Sequence, residues 1–208
     1  MTERVSAQQR DTMKTNAKRG NWSQTYTGVQ FFPLDPRPED VRIEDIAHAL
    51  ALQCRFAGHC RVPYSVAEHS VRVSWVVEKT AAEDGNSDPR SWALAGLLHD
   101  ASEAYCVDVP RPIKPYLVGY DSIEHNVMHT IERWAGLELG ACSVSVVKRA
   151  DEVLLMTEKR DIMGPAPAPW TSAQGVVCEP LPEVIVPWGW ERAEREFLAR
   201  FAELRMPL

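Results

Sequence analysis

The sequence predicts an all-α protein built as one compact domain. Apolar residues recur at helical spacing in six separate windows, and no stretch alternates convincingly at period two apart from short runs near residues 175–177 or 184–186. The third observation is size: 208 residues with 45% hydrophobic content can bury a substantial single core, and the length does not require a second one.

Residues 1–20 are rich in Gln, Arg, Lys and Thr with almost no large apolar side chains, so they are expected to form a polar tail. Residues 21–40 combine aromatics with Pro33, Pro36 and Pro38, which suits an extended or turning segment packed on a core. Ile43, Ile46, Ala47, Leu50 and Cys54 mark a first helix. Val66, His69, Val73, Val76 and Val77 mark a second, with Ser65 as its N-cap. After a polar break at residues 86–89, Trp92, Ala93, Leu94, Leu97 and Leu98 open a third apolar helix expected to run into His99 and Asp100. Pro110, Pro112 and Pro115 then forbid regular helix. Further helices are expected over residues 121–135, 143–163 and 189–204, the last carrying Trp190, Phe197, Phe201 and Leu204 on one stripe. A Pro-rich irregular segment at 164–187 precedes that last helix. The expected organisation is therefore a tail at 1–20 and a domain at 21–208, with its core over about 43–163 and a C-terminal extension at 164–208.

Twenty-nine acidic against 23 basic residues give a net charge of −6, which provides no field for long nucleic acid. A small anion can still bind at a local basic cluster. Cys54, Cys60, Cys106, Cys142 and Cys178 are odd in number and form no CxxC pair, so neither a disulfide framework nor a zinc knuckle is expected. The polar N-terminus is neither a signal peptide nor a membrane span. A cytoplasmic protein without membrane attachment is the expectation.

His99 and Asp100 adjoin within an apolar run, where ionisable side chains are costly unless paired or bound to a metal. His69 and Asp151 each lie within an otherwise apolar helical stripe. Two imidazoles and two carboxylates suit one divalent ion, Zn, Mn, Co or Fe, with Mg also able to fit, and leave positions open for water and a substrate oxygen. The competing reading makes each His a hydrogen-bonded core residue and each Asp a cap or surface charge.

Sequence context separates the two. The pattern H…HD…D resembles the HD-domain phosphohydrolases. Within them, Tyr-Ser-Val-Ala-Glu-His-Ser at 64–70, Leu-Leu-His-Asp-Ala-Ser-Glu-Ala-Tyr at 97–105, Asp-Val-Pro-Arg-Pro-Ile-Lys at 108–114 and Lys-Arg-Ala-Asp at 148–151 are similar to the bacterial 5′-deoxynucleotidases and to phage HD-type dATP triphosphohydrolases. The resemblance spans roughly residues 22–163 and leaves the C-terminal 45 residues outside it.

The resemblance implies an HD-type helical bundle in which His69, His99, Asp100 and Asp151 hold the metal. Glu103, three residues after Asp100 and four after His99, falls on the same helical face, where it can orient or deprotonate the attacking water. Asp108 matches the second catalytic carboxylate of the deoxynucleotidases, which assists the leaving oxygen. Arg55, Arg111 and Lys114 are the candidate phosphate-neutralising cations. Arg55 stands nearly where those enzymes carry Arg followed by Trp; here Phe56 follows it, with spacing to His69 one residue different, so the family's sugar selection does not transfer directly. Trp22 and Tyr26 offer rings for stacking on a base, although an aromatic in a proline-rich segment more often packs. Glu158, seven residues after Asp151, shares its helical face and is expected to form a salt bridge. His59 is expected to close a loop, and His48, His125 and His129 are expected to be structural.

The function these residues imply is metal-dependent hydrolysis of the 5′-phosphate ester of a small (deoxy)nucleotide, releasing nucleoside with phosphate or triphosphate. The alternatives are an HD phosphodiesterase acting on cyclic or oligonucleotide signals, and a catalytically silent nucleotide-binding protein. The resemblance also implies a homo-oligomer, a dimer or larger.

Overall fold

A computed structural model of the chain describes residues 19–138, 140–170 and 178–206, the side chains of Ala141 and Cys142 excepted. Residues 1–18 of the expected tail and the expected strand at 175–177 lie outside the described residues. Arg19, at the end of that tail, is packed: its guanidinium bonds Asp35 and Asp40 and covers the Phe32 ring.

The fold is all α apart from one short hairpin. Strands β1 (Ser23–Gln24) and β2 (Gln30–Phe31) pair antiparallel, with Ser23 opposite Phe31, in the segment read as extended or turning. Gly28 closes the hairpin at φ +84°, a left-handed conformation that a Cβ disfavours. Residues 184–186 do not form a strand. The helices are α1 (Ile43–Leu52), α2 (Val66–Glu83), α3 (Pro89–Leu98), α4 (Glu103–Cys106), α5 (Tyr120–Ala135), α6 (Ala141–Asp161) and α7 (Trp190–Arg205).

Helix α2 is the axis of the bundle and packs against α1, α3, α6 and α7. It starts at Val66 because the Ser65 side chain accepts a hydrogen bond from the backbone N–H of Glu68, satisfying an otherwise orphaned donor. Asp88 caps α3 in the same way through the N–H of Ser91. The closest approach of α2 and α3 depends on Gly96, where an added Cβ would stand 2.9 Å from Val77 Cγ2 and 3.3 Å from the Ser74 Cα. Ile46, Leu50, Val71, Leu97, Leu98, Ile131 and Phe197 form one buried cluster, and Tyr64, Val73, Val77, Leu154 and Ile162 a second. Both clusters draw on α2, the first through Val66, Ala67 and Val71 and the second through Val73 and Val77.

The first helix ends at Leu52, short of the expected Cys54, and a second boundary bears directly on the site. The third helix ends at Leu98, so His99 and Asp100 lie in the turn between α3 and α4 and not inside a helix. Among the described residues, no helix is long and apolar enough to cross a membrane.

Candidate metal centre and cavity

The second helix places His69 one turn from its N-cap, with no exposed surface. The turn after α3 delivers His99 and Asp100, and α6 delivers Asp151. His69 Nε2 lies 3.4 Å from His99 Nε2, 3.8 Å from Asp100 Oδ2 and 3.2 Å from Asp151 Oδ1, and His99 Nε2 lies 3.1 Å from Asp100 Oδ2. Donor atoms of His69, His99 and Asp100 all lie within 4.8 Å of one another. Three side chains from two places in the sequence therefore converge, and Asp151 adjoins them through its contact with His69.

Their outer nitrogens are fixed. The His99 Nδ1–H donates to the carbonyl of Gly96 at 2.8 Å, and His69 Nδ1 lies 2.6 Å from Glu158 Oε1. A carbonyl can only accept, so a neutral His99 turns its Nε2 lone pair inward, and a carboxylate behind His69 favours the same tautomer. A carbonyl or carboxylate behind a histidine is the usual arrangement around metal-binding imidazoles. Glu158 also takes the Arg55 guanidinium at 3.2 Å, so the residue expected to form a salt bridge forms one and orients His69 as well.

The donor set fits a divalent cation on charge as well as geometry. Burial and the Arg55 cation press the His69 pKa down, yet Glu158 and Asp151 outweigh them and hold it at about 9. Burial alone would raise Asp100, but His99, His69 and Arg55 keep its carboxyl well below the usual range. Glu103 is buried at the start of α4, and its Oε2 has no hydrogen-bond partner. Burial, then the charges of Asp100 and Asp108, push its pKa up to about 10. Carboxylates gathered around two imidazoles in a buried setting are a donor set whose negative charge a divalent ion can offset.

Beside this point opens a cavity of about 730 Å³. Its polar lining is Asp100, Glu103, Asp108 and Asp151 with Arg55, Arg111, Lys114 and His59. Its apolar lining includes Phe56, Ala57, Leu155, Met163 and Trp170, with Val109, Pro110 and Pro112 between the charged residues of the 108–114 segment. Arg55 is partly buried, its side chain 11% exposed, and reaches Asp100 at 3.5 Å. Lys114 is held by Glu124 at 2.7 Å, and Arg111 stands 4.0 Å from Asp151 and is half exposed. Trp22 is not brought to the cavity; it is half exposed beside β1. Tyr26 stacks on His48, which pairs with Glu194, and His125 and His129 lie on the exposed side of α5.

Two features of the site carry no motif in the sequence. Gln53, just after α1, bridges the proposed catalytic segment: its amide donates to the Glu103 carbonyl at 3.0 Å and accepts from the Asp108 N–H at 3.1 Å. Trp170 enters from the irregular extension. The backbone between these parts is strained, with Phe56, Ala57 and Val107 at φ 55°, 51° and 69°. Side chains rarely adopt such angles, and strain of this kind concentrates where a site is held in shape.

The chain is 34% identical over 180 residues to YfdR, an uncharacterised protein of Escherichia coli, a match that covers 86% of this chain and 93% of that one. It belongs to the YfdR family. A second YfdR-like relative, an uncharacterised protein of Rhodobacter capsulatus, is 35% identical over 148 residues, which is 69% of this chain and 74% of the relative. A 5′-deoxynucleotidase of Photobacterium profundum is 40% identical over 57 residues, only 25% of this chain and 29% of that enzyme. This local similarity supports an HD-type hydrolase, and a YfdR-family chain with a His-His-Asp cluster able to hold a metal agrees with it. No family model matches the chain.

Proposed function

We propose that the protein hydrolyses the 5′-phosphate ester of a small nucleotide, a deoxynucleotide first of all, in a metal-dependent reaction. The observation that carries this reading is the convergence of His69, His99 and Asp100, with Asp151 3.2 Å from His69, beside a cavity that Arg55 and Lys114 also line.

These four residues are the proposed ligands of one divalent ion, Zn, Mn, Co or Fe, with Mg also compatible with the oxygens. An ion bound there supplies Lewis acidity, lowering the pKa of water and offsetting phosphate charge. The Glu103 carboxylate, once the surplus charge around it is relieved, takes the proton of the water that attacks phosphorus. Asp108, whose carboxyl is raised by burial, sits where it can give a proton to the departing 5′-oxygen as the P–O bond breaks. Arg55 and Lys114 hold the phosphate oxygens, and Arg111 closes over them from the rim.

Charge favours the shorter phosphate. Three cations and four carboxylates line the cavity, so one divalent ion leaves a single positive charge in excess, which suits a monophosphate better than a triphosphate. The same reading places the protein in the cytoplasm as a homo-oligomer, a dimer or larger, with residues 164–208 as an extension of the hydrolase core.

The test is product identity when purified protein is supplied with Mn, Co or Zn and given dAMP, dATP or a cyclic dinucleotide. Deoxyadenosine and phosphate from dAMP are expected. Triphosphate released from dATP alone would move the reading to a triphosphohydrolase, and linearised dinucleotide to a phosphodiesterase. Metal binding without any turnover, unaffected by His99→Ala, would overturn hydrolysis and favour a silent nucleotide-binding protein.

A further inference from the structure

We infer that Trp170 is the base-stacking residue of the cavity, so that the C-terminal extension and not the metal-bearing bundle binds the substrate's nucleobase. The inference deepens the proposed function and rests on that reading.

The cavity lining is of two kinds: carboxylates with the cations Arg55, Arg111 and Lys114, and apolar side chains that include Phe56, Leu155, Met163 and Trp170. A nucleotide calls for both, charged partners for its phosphate and a flat apolar surface for its base. At about 730 Å³ the cavity falls within the range of small-ligand sites, which extends from roughly 300 to 1,000 Å³.

Among the described lining residues Phe56 and Trp170 carry the large aromatic rings, with centroids 5.9 Å apart and planes inclined at 52°, too tilted to stack on one another. Neither ring's face is therefore taken up by the other, and a base stacks on the larger of them. Each ring also has a cation beside it: Arg55, itself in the lining, lies 5.3 Å from the Phe56 centroid, and the Lys159 ammonium, outside the lining, 5.4 Å from that of Trp170. Phe56 holds its place through the left-handed backbone at residues 56 and 57, a geometry that carries a cost unless the ring is wanted there. Trp170, partly buried, has no counterpart in the segments that resemble the deoxynucleotidases.

The experiment uses the full-length, metal-supplemented protein and compares dAMP with deoxyribose 5-phosphate, which keeps the sugar and phosphate and lacks the base. Base stacking on an aromatic is worth about 1–3 kcal/mol, so Trp170→Ala should lower the preference for dAMP over deoxyribose 5-phosphate by ~10-fold, mainly through KM, and Trp170→Phe should restore most of it. A merely structural tryptophan would lower both substrates together and leave the ratio unchanged, and that result overturns the inference. A readout independent of turnover is fluorescence: dAMP should quench a component of the tryptophan emission that is missing from Trp170→Phe. Turnover of dAMP by the unaltered protein with an unchanged ratio in Trp170→Ala sinks the stacking role and leaves hydrolysis standing. Absence of turnover together with Trp170-dependent quenching has the opposite consequence.

Discussion

Gln53 sets the geometry of the site without lining it. Its amide holds the Glu103 carbonyl and the Asp108 N–H together, and so fixes both ends of α4 and the strained Val107 between the two proposed catalytic carboxylates. Leucine fills a similar volume and makes neither bond. Gln53→Leu should lower kcat by about 10–100-fold, the usual effect of losing an outer-shell partner, while KM changes much less. Steady-state kinetics at saturating metal check this, and an unchanged kcat would remove Gln53 from the positioning role. At this scale the sequence was legible unevenly. His69, His99, Asp100 and Asp151 stood out because ionisable residues in apolar stripes need a reason, and Glu158 because seven residues on a helix return to one face. Gln53 and Trp170 had no such signal: one is a lone amide after a helix, the other a lone aromatic in a segment without periodicity. Trp22 shows the converse, an aromatic that composition allowed into the site and the fold leaves outside the cavity.

Helices were the most legible elements, because each long one buries a stripe against the rest of the bundle, four of the helices doing so against α2, and a stripe of 3.6-residue period survives in any sequence that packs this way. Their ends were read less well where the cause is tertiary. Apolar residues up to Leu98 suggested a helix through Asp100, but the chain leaves the helix there, and that exit turns His99 and Asp100 toward a common point. The irregular extension was legible only as irregular. Among the side chains that attach it are two at the C-terminal end of α6: Arg160 donates to the carbonyls of Leu181 and Glu183, and Asp161 accepts from the N–H of Ile185. Hydrogen bonding from Arg160 holds the Asp161 carboxyl below its ordinary value of 3.8. A depressed carboxylate stabilises the fold above its unfolded pKa, and that contribution fades as pH falls through the folded one. Asp161→Asn should therefore cost about 1 kcal/mol near neutrality, a Tm decrease of about 2–4 °C for a chain of this size. The gap between the two proteins should stay constant from about pH 5 to 8 and narrow only below about pH 4. Thermal melts across that range decide it; a gap that opens on acidification would assign the effect to some other group.

At the scale of the whole molecule, the ligand cluster joins α2, the turn after α3 and α6, and so spans most of the bundle. An ion bound only by the folded arrangement stabilises it by RT ln(1 + [L]/Kd), about 2.7 kcal/mol at a hundredfold excess over Kd. For a protein of 208 residues that converts to a rise in Tm of roughly 5–10 °C. Titrating Zn, Mn, Co or Fe into chelator-treated protein should produce this rise, and His99→Ala with Asp100→Ala should abolish it. Glu158→Gln separates orientation from ligation. The glutamine keeps the shape beside His69 Nδ1 but presents a weaker acceptor, so the plateau should be retained while the metal concentration at half-effect rises by about 10–100-fold. Glu158 also balances Arg55, so a variant that melts lower without metal and still responds at the original concentration would show that Glu158 serves the cation and not the imidazole. A Tm unmoved by all four metals would remove the ion from the centre of the fold, and the reaction proposed around it would go with it.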